Sequence, residues 1–282
     1  MTQLAAPAPR KTGAGRDLPA AVAVGVVLLG VVGASLFIRK EAFAAFAVLA
    51  VAAAMWELAQ AFGRRAIHLP LVPLVVGSAG ILVSAYVAGT EALFVAFLLT
   101  VGGAVVWRVL DGSGEAALRD ASAATFAAAY LPFLGGFVML LLAEPDGPAR
   151  VALFVLLAVA CDTGGYVVGT LLGRHPLAPS VSPKKSWEGL FGSLVLTSVV
   201  GVVGVQTVFQ GEPLVGALLG VGVVVSATLG DLAESMIKRD LELKDMGRLL
   251  PGHGGVLDRL DSLLLTAPTV WVLLTVLQPP AG

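Results

Sequence analysis

The sequence predicts an all-α, polytopic integral membrane protein of about nine transmembrane helices, and three observations carry that prediction. Hydrophobic residues make up 57% of the 282 and charged residues 13%, roughly half the charged share of a soluble domain. That leaves too little polar surface to face water on all sides. Apolar runs of about 20 residues, the length that crosses the hydrocarbon layer as a helix, recur from end to end. The 18 lysines and arginines gather in alternate connections rather than spreading evenly. A net charge of −1 provides no global basic field, so nucleic acid is not expected as a partner.

The elements follow in chain order. Residues 1–17, MTQLAAPAPRKTGAGRD, are rich in Pro, Ala and Gly and read as a disordered cytoplasmic tail. With the apolar run 18–38 they mimic a signal peptide, but the run is long and more membrane segments follow, so an uncleaved first span is expected. Runs 42–62, 69–88, 91–110 and 121–143 complete an N-terminal transmembrane region over 18–148. Runs 150–172, 188–209, 213–235 and 258–277 form a C-terminal catalytic region over 149–282. Glycines and charges interrupt several runs, and orientation favours nine. With nine spans and the N-terminus inside, only Arg39, Lys40 and Arg150 of the 18 basic residues fall outside. Positive charge stays on the cytoplasmic side, which puts the N-terminus inside and the C-terminus outside a cell membrane.

Few polar residues of the first half attract attention. Glu57 and Tyr86 read as interfacial or packing residues, and Arg64, Arg65 and His68 as a short loop that sets topology. Cys161 is the lone cysteine, which excludes an internal disulfide and reads as a small apolar packer. No internal repeat supports an inverted-repeat transporter.

Chemistry concentrates in three later segments. In CDTGGYVVG, residues 161–169, Asp162 lies about halfway along an apolar run, where a charge is costly and usually functional. The small residues beside it admit a ligand or a second helix close to the backbone. The loop SVSPKKSWEG, 180–189, sets Lys184, Lys185 and Ser186 ahead of a helix starting near Trp187. Point charges, hydroxyl donors and a helix N-terminus suit a phosphate-bearing ligand.

The third segment runs GDLAESMIKRDLELKDMGRLLPGHGGVLDRLDS, from Gly230 to Ser262. Asp231, Glu234, Ser235 and Lys238 share one helix face, and Asp258 and Asp261 share a face of the last helix. Two carboxylate-bearing faces joined by a cytoplasmic loop can converge on a divalent cation. Mg²⁺ takes one or two carboxylates and completes its shell with water and substrate phosphates. Between the faces PGHGG, with His253, Gly254 and Gly255, bends sharply and frees N–H groups for an anion. Lys238, Arg239, Lys244, Arg248 and Arg259 add the positive charge that polyphosphate or an anionic lipid head group requires.

This third segment resembles the signature of the phosphatidate cytidylyltransferase, or CDP-diacylglycerol synthase, family. The pattern S-x-x-K-R-x4-K-D-x-G-x2-L-P-x-H-G-G-x-x-D-R-x-D fits Ser235 to Asp261 without a gap. CDTGGY and SPKKSWEG resemble that family's upstream motifs, in the expected order. The resemblance covers about residues 150–277, whereas the first four spans match only as hydrophobic helices. It implies an enzyme that joins CTP and phosphatidate into CDP-diacylglycerol and pyrophosphate in phospholipid biosynthesis, with Mg²⁺ and a second, monovalent cation such as K⁺. It also implies a homodimer. The family's metal-binding aspartates correspond to Asp231 and Asp258. Glu234, Asp261 and Asp162 are further metal or outer-shell candidates. Lys238, Arg259 and Asp261 join the catalytic set. Lys184, Lys185, Ser186, Ser235, Arg239, Lys244, His253, Gly254 and Gly255 are expected to bind substrate. Two rival readings are a cation-coupled transporter and a CTP-dependent lipid kinase of the dolichol kinase type.

Overall fold

The structure is a computed structural model and describes residues 30–247, 249 and 254–279. The expected tail 1–17, and Arg248, Leu250, Pro251 and His253 of the motif, lie outside the described residues. So does most of the run 18–38, of which residues 30–38 are helical. The following helices are α1 (Lys40–Gly63), α2 (Leu71–Asp111), α3 (Glu115–Ala128), α4 (Leu134–Ala143), α5 (Gly147–Leu172), α6 (Trp187–Val208), α7 (Pro213–Asp240) and α8 (Leu257–Leu277). A π-helical turn, Ala129–Phe133, joins α3 to α4. Two short strands, β1 (Pro176–Ala178) and β2 (Ser182–Ser186), pair antiparallel between α5 and α6. The all-α, multi-pass architecture is therefore present, with a small hairpin where a loop is expected at 180–189.

Seven helices among the described residues are long and apolar enough to cross a membrane, against nine expected runs. Two differences account for the gap. The first run lies mostly outside the described residues. Runs 69–88 and 91–110 are both present, as the two helical arms of the 41-residue stretch α2, which meet at a kink at Gly89 with φ 78 and ψ −161. A left-handed φ of that kind is open to glycine at no steric cost, so the first arm ends there and the chain folds back, close enough that a Cβ at Gly77 would overlap the Thr100 side chain. α7 runs five residues beyond the expected 235. Its last turn carries Lys238 and Arg239, cations that complement the negative end of a helix.

Small residues set the spacing of the second half. α5 packs on α6, α6 on α7 and α7 on α8, with backbones in close approach. A Cβ at Gly220 of α7 would lie 2.5 Å from the Cα of Ser198 in α6, and one at Gly230 would lie 2.6 Å from the Asp261 carbonyl of α8. Among helices in lipid, such close van der Waals contact replaces the hydrophobic drive available in water. The Gly230 contact also decides which groups meet, because it lays Asp231 beside Asp261. The first half is not a separate body. α4 packs on α8, and α1 also reaches α8. Leu58, Leu82, Leu93, Leu131, Leu141 and Leu257 are fully buried in the shared core. Outward, α2 shows Leu98 and Leu99, and α5 shows Leu171 and Leu172, the apolar surface that lipid covers.

Candidate active site

A cleft of about 340 Å³ opens where α5, β2, α6 and α7 meet. Asp162 and Gly165 come from α5, Lys184, Lys185 and Ser186 from β2 and its end, and Asp231 from α7. Lys185 Nζ forms an ion pair with Asp231 Oδ2, and each side chain is about one-quarter exposed. Local chemistry holds β2 in place for this pairing. The Ser186 hydroxyl oxygen accepts from Gly189 N at 3.1 Å and caps α6, as Ser does at exposed helix starts. Glu188, in the first turn, accepts from Arg174 N at 3.1 Å and sits 2.6 Å from His175 Nδ1. The turn after α5 is thereby tied to the start of α6, and the charges of Asp231 and Asp261 act on Asp162.

A second constellation adjoins it along the last turns of α7. Lys238 Nζ bridges Glu234 Oε2 and, at 2.6 Å, Asp258 Oδ1. Asp258 is 7% exposed and Glu234 1%, so the lysine is enclosed by carboxylates from two helices. Asp258 has further partners: Met246 N donates to it at 3.1 Å and Gly255 N donates to Oδ2 at 2.8 Å. Gly254, with φ +84, supplies the left-handed turn that brings Gly255 N round to the carboxylate. Glu234 neighbours Asp261 across the α7–α8 contact, while Glu234 Oε1 is buried with no partner.

Most of the predicted residues meet here. Asp162, Lys184, Lys185, Ser186 and Asp231 share the cleft. Glu234, Lys238, Asp258 and Asp261 form the adjoining cluster. Gly254 and Gly255 stand against Asp258, and the charge of Arg259, itself exposed, reaches Asp162. Ser235 is half-buried and Lys244 exposed. Arg239 turns to the hairpin, where its Nε donates to the Val181 carbonyl, so it braces the roof of the cleft. His253 lies outside the described residues.

Two further side chains join the site, Glu57 and Tyr130. Of the two readings of Glu57 in α1, interfacial and packing, the structure has the second: it is 1% exposed and accepts from Leu257 N at 2.9 Å and Leu249 N at 3.4 Å. The available signal was an acid inside an apolar helix, the same signal that marks Asp162. Tyr130 sits in the π-helical turn and is 5% exposed. Its hydroxyl has no partner and lies within range of the charges of Glu234, Asp261 and Asp231. Pro132, in the same turn, has no N–H to give and so disfavours the regular ladder. Single π turns of this kind recur at functional sites.

The model of the cytidylyltransferase family matches residues 19–277. A phosphatidate cytidylyltransferase of Mycobacterium leprae is 40% identical over 279 residues, covering 94% of this chain and 89% of its own length. One of Mycobacterium bovis is 37% identical over 283 residues, covering 96% and 92%. A shorter match, 41% identical over 150 residues, joins about half of the chain to a phosphatidate cytidylyltransferase of Haemophilus influenzae.

Proposed function

This chain belongs to the cytidylyltransferase family, and from that premise we propose that it is a phosphatidate cytidylyltransferase. It is a CTP-dependent nucleotidyltransferase of the membrane. An oxygen of the phosphatidate phosphate attacks the α-phosphorus of CTP, the bond from that phosphorus to the bridging oxygen breaks, and pyrophosphate leaves. CDP-diacylglycerol is the lipid product. A phosphate is already an anionic nucleophile, so the task is to position two polyanions and neutralise their charge.

The observation that carries this reading is the pairing of lysines with carboxylates along one end of α7. Lys185 meets Asp231, and Lys238 meets Glu234 and Asp258. Lys184 and Lys185 bind phosphates of CTP, Lys238 neutralises charge where phosphate and carboxylate crowd together, and Arg259 draws the pyrophosphate away. Ser186 at the head of α6 adds a hydroxyl at the positive end of the helix dipole.

Among the described residues no three acidic, histidine or cysteine side chains form a ready-made metal cage. Mg²⁺ does not need one, because it keeps several waters and takes substrate phosphates beside one or two carboxylates. The donors present are hard carboxylate oxygens, and the buried, unpartnered Glu234 Oε1 is the kind of acceptor a cation satisfies. Asp231 and Asp258 would hold the ion, with Glu234, Asp261 and Asp162 around it and K⁺ as a second ion. Bound there, Mg²⁺ would supply charge neutralisation and orientation of the phosphates.

The lipid half of the reaction is supported by an apolar groove of about 480 Å³ between α6 and α7. Trp187, Phe191 and Val225 line it, and it shares Leu190 and Thr228 with the charged cleft. An acyl chain lies there while its phosphate reaches the charged cleft. The enzyme then works at the inner face of the cell membrane, as a homodimer, with the N-terminus inside and the C-terminus outside.

Purified protein in detergent, given α-labelled CTP, phosphatidate and Mg²⁺, is expected to yield labelled CDP-diacylglycerol and one pyrophosphate per turnover. Release of CDP instead identifies a lipid kinase. Solute flux without nucleotide consumption identifies a transporter.

A further inference from the structure

We infer that Glu57 is a positioning residue for the transfer reaction: a helix cap supplied in trans that fixes the glycine loop and the aim of α8. The inference rests on the function proposed above. α8 begins at Leu257, and its N-cap, Val256, offers no side-chain acceptor. The first N–H groups of a helix have no intrahelical partner, and an Asp, Asn, Ser or Thr at the cap normally takes one of them. Here that acceptor comes from 200 residues earlier in the chain: Glu57 Oε2 accepts from Leu257 N at 2.9 Å. Its negative charge also meets the positive end of the α8 dipole.

The other oxygen holds the loop. Glu57 Oε1 accepts from Leu249 N at 3.4 Å. A Cβ at Gly255 would stand 2.5 Å from Glu57 Oε2, and one at Gly247 would overlap Oε1. Gly247 and Gly255 stand so close to the carboxylate that side chains are excluded at both positions. Asp258 grips the same segment from the other side through Met246 N and Gly255 N. Glu57 and Asp258 therefore clamp one strip of backbone, and Asp258 immediately follows the residue that Glu57 caps.

Glu57 is unlike the other buried acid of the first half. Asp120 faces Arg108 at 3.1 Å, while Glu57 has no ion-pair partner among the described residues. Burying an unpaired carboxylate is costly. Backbone donors satisfy it here, at a place that decides where Asp258, Arg259 and Asp261 point.

The test uses the full chain in detergent with CTP, phosphatidate and Mg²⁺, and the variants E57Q and E57D. Glutamine keeps the size but sets an amide NH₂ against a backbone N–H, donor against donor. E57Q is expected to lower kcat about tenfold, with KM for CTP and phosphatidate within about twofold. Amide exchange in peptides spanning Met246–Leu257 should quicken, and peptides of α5 and α6 should be unchanged. E57D, with both oxygens on a shorter arm, should recover part of the rate. The inference is overturned if E57Q merely folds less well, with kcat per folded molecule and loop exchange as in the wild type. A fall in kcat without faster loop exchange overturns it too. Should E57Q give no folded protein, E57D is judged on the same two readouts. A wild type that makes no CDP-diacylglycerol refutes the proposed function instead, and the exchange comparison then tests the cap alone.

Discussion

Replacing Asp258 by Ala tests the densest point of the site. In the structure this carboxylate accepts from Met246 N at 3.1 Å, from Gly255 N at 2.8 Å and from Lys238 Nζ at 2.6 Å. The substitution leaves two backbone donors unsatisfied, each costing about 1–3 kcal/mol where water does not replace the partner. Lys238 keeps Glu234 as a partner, so the buried ammonium is not stranded. A stability loss of about 2–6 kcal/mol follows. Transition-state stabilisation falls separately. Losing one carboxylate that holds a catalytic ion costs several kcal/mol, and about 3–4 kcal/mol is a rate reduction of several hundredfold. The assay is CDP-diacylglycerol formation by a detergent-purified D258A enzyme across a Mg²⁺ titration, beside thermal unfolding in the same detergent. Near-normal kcat at saturating Mg²⁺ would refute the assignment of Asp258, whatever the unfolding temperature shows.

Further substitutions separate the two constellations. Lys185→Ala removes the cation on Asp231 and is expected to raise KM for CTP about tenfold, worth about 1.4 kcal/mol of phosphate binding, as read from initial rates. Gly255→Ala puts a methyl 2.5 Å from Glu57 Oε2 and 2.8 Å from Gly247 N. It should destabilise the protein by about 1–3 kcal/mol through overpacking, whereas Gly80→Ala, with nothing within 4 Å of its Cβ, should leave unfolding nearly unchanged or slightly later; paired melting curves check both. Tyr130→Phe removes a buried hydroxyl that has no partner, so stability should hold within about 1 kcal/mol. A hydroxyl serving the adjoining carboxylates predicts slower turnover for that variant in the same assay. Chelation by EDTA should abolish product formation, and Mg²⁺ should restore it in full.

Much of this arrangement was legible because charge inside an apolar run is costly. Asp162, Asp231 and Asp261 stand out for that reason, and helical spacing alone puts Glu234 and Lys238 on one face, where the structure pairs them. The bend at Gly89 falls between the two runs that the apolar pattern separates. Other features depend on contacts no local pattern encodes. Lys184 and Lys185 are equivalent in sequence, and only the path of β2 decides that Lys185 takes Asp231. Arg239 sits in a motif full of phosphate-binding candidates, yet it reaches the Val181 carbonyl of the hairpin. Glu57 is separated from Leu257 by 200 residues, so its use as a cap appears only once α1 is packed on α8. The Tyr130 turn has one visible cue, Pro132, and a proline in an apolar helix indicates a disturbance without naming the side chain it presents.

The central claim is that Asp231 of α7 and Asp258 of α8 serve one cation carrying CTP phosphates. Mn²⁺ in place of Mg²⁺ makes that claim measurable by pulsed electron paramagnetic resonance on the purified chain with CTP. Protein-bound Mn²⁺ with ³¹P coupling from the nucleotide is expected, lost in Asp231→Asn and lost again, independently, in Asp258→Asn. An unchanged ³¹P-coupled signal in either variant would contradict the claim.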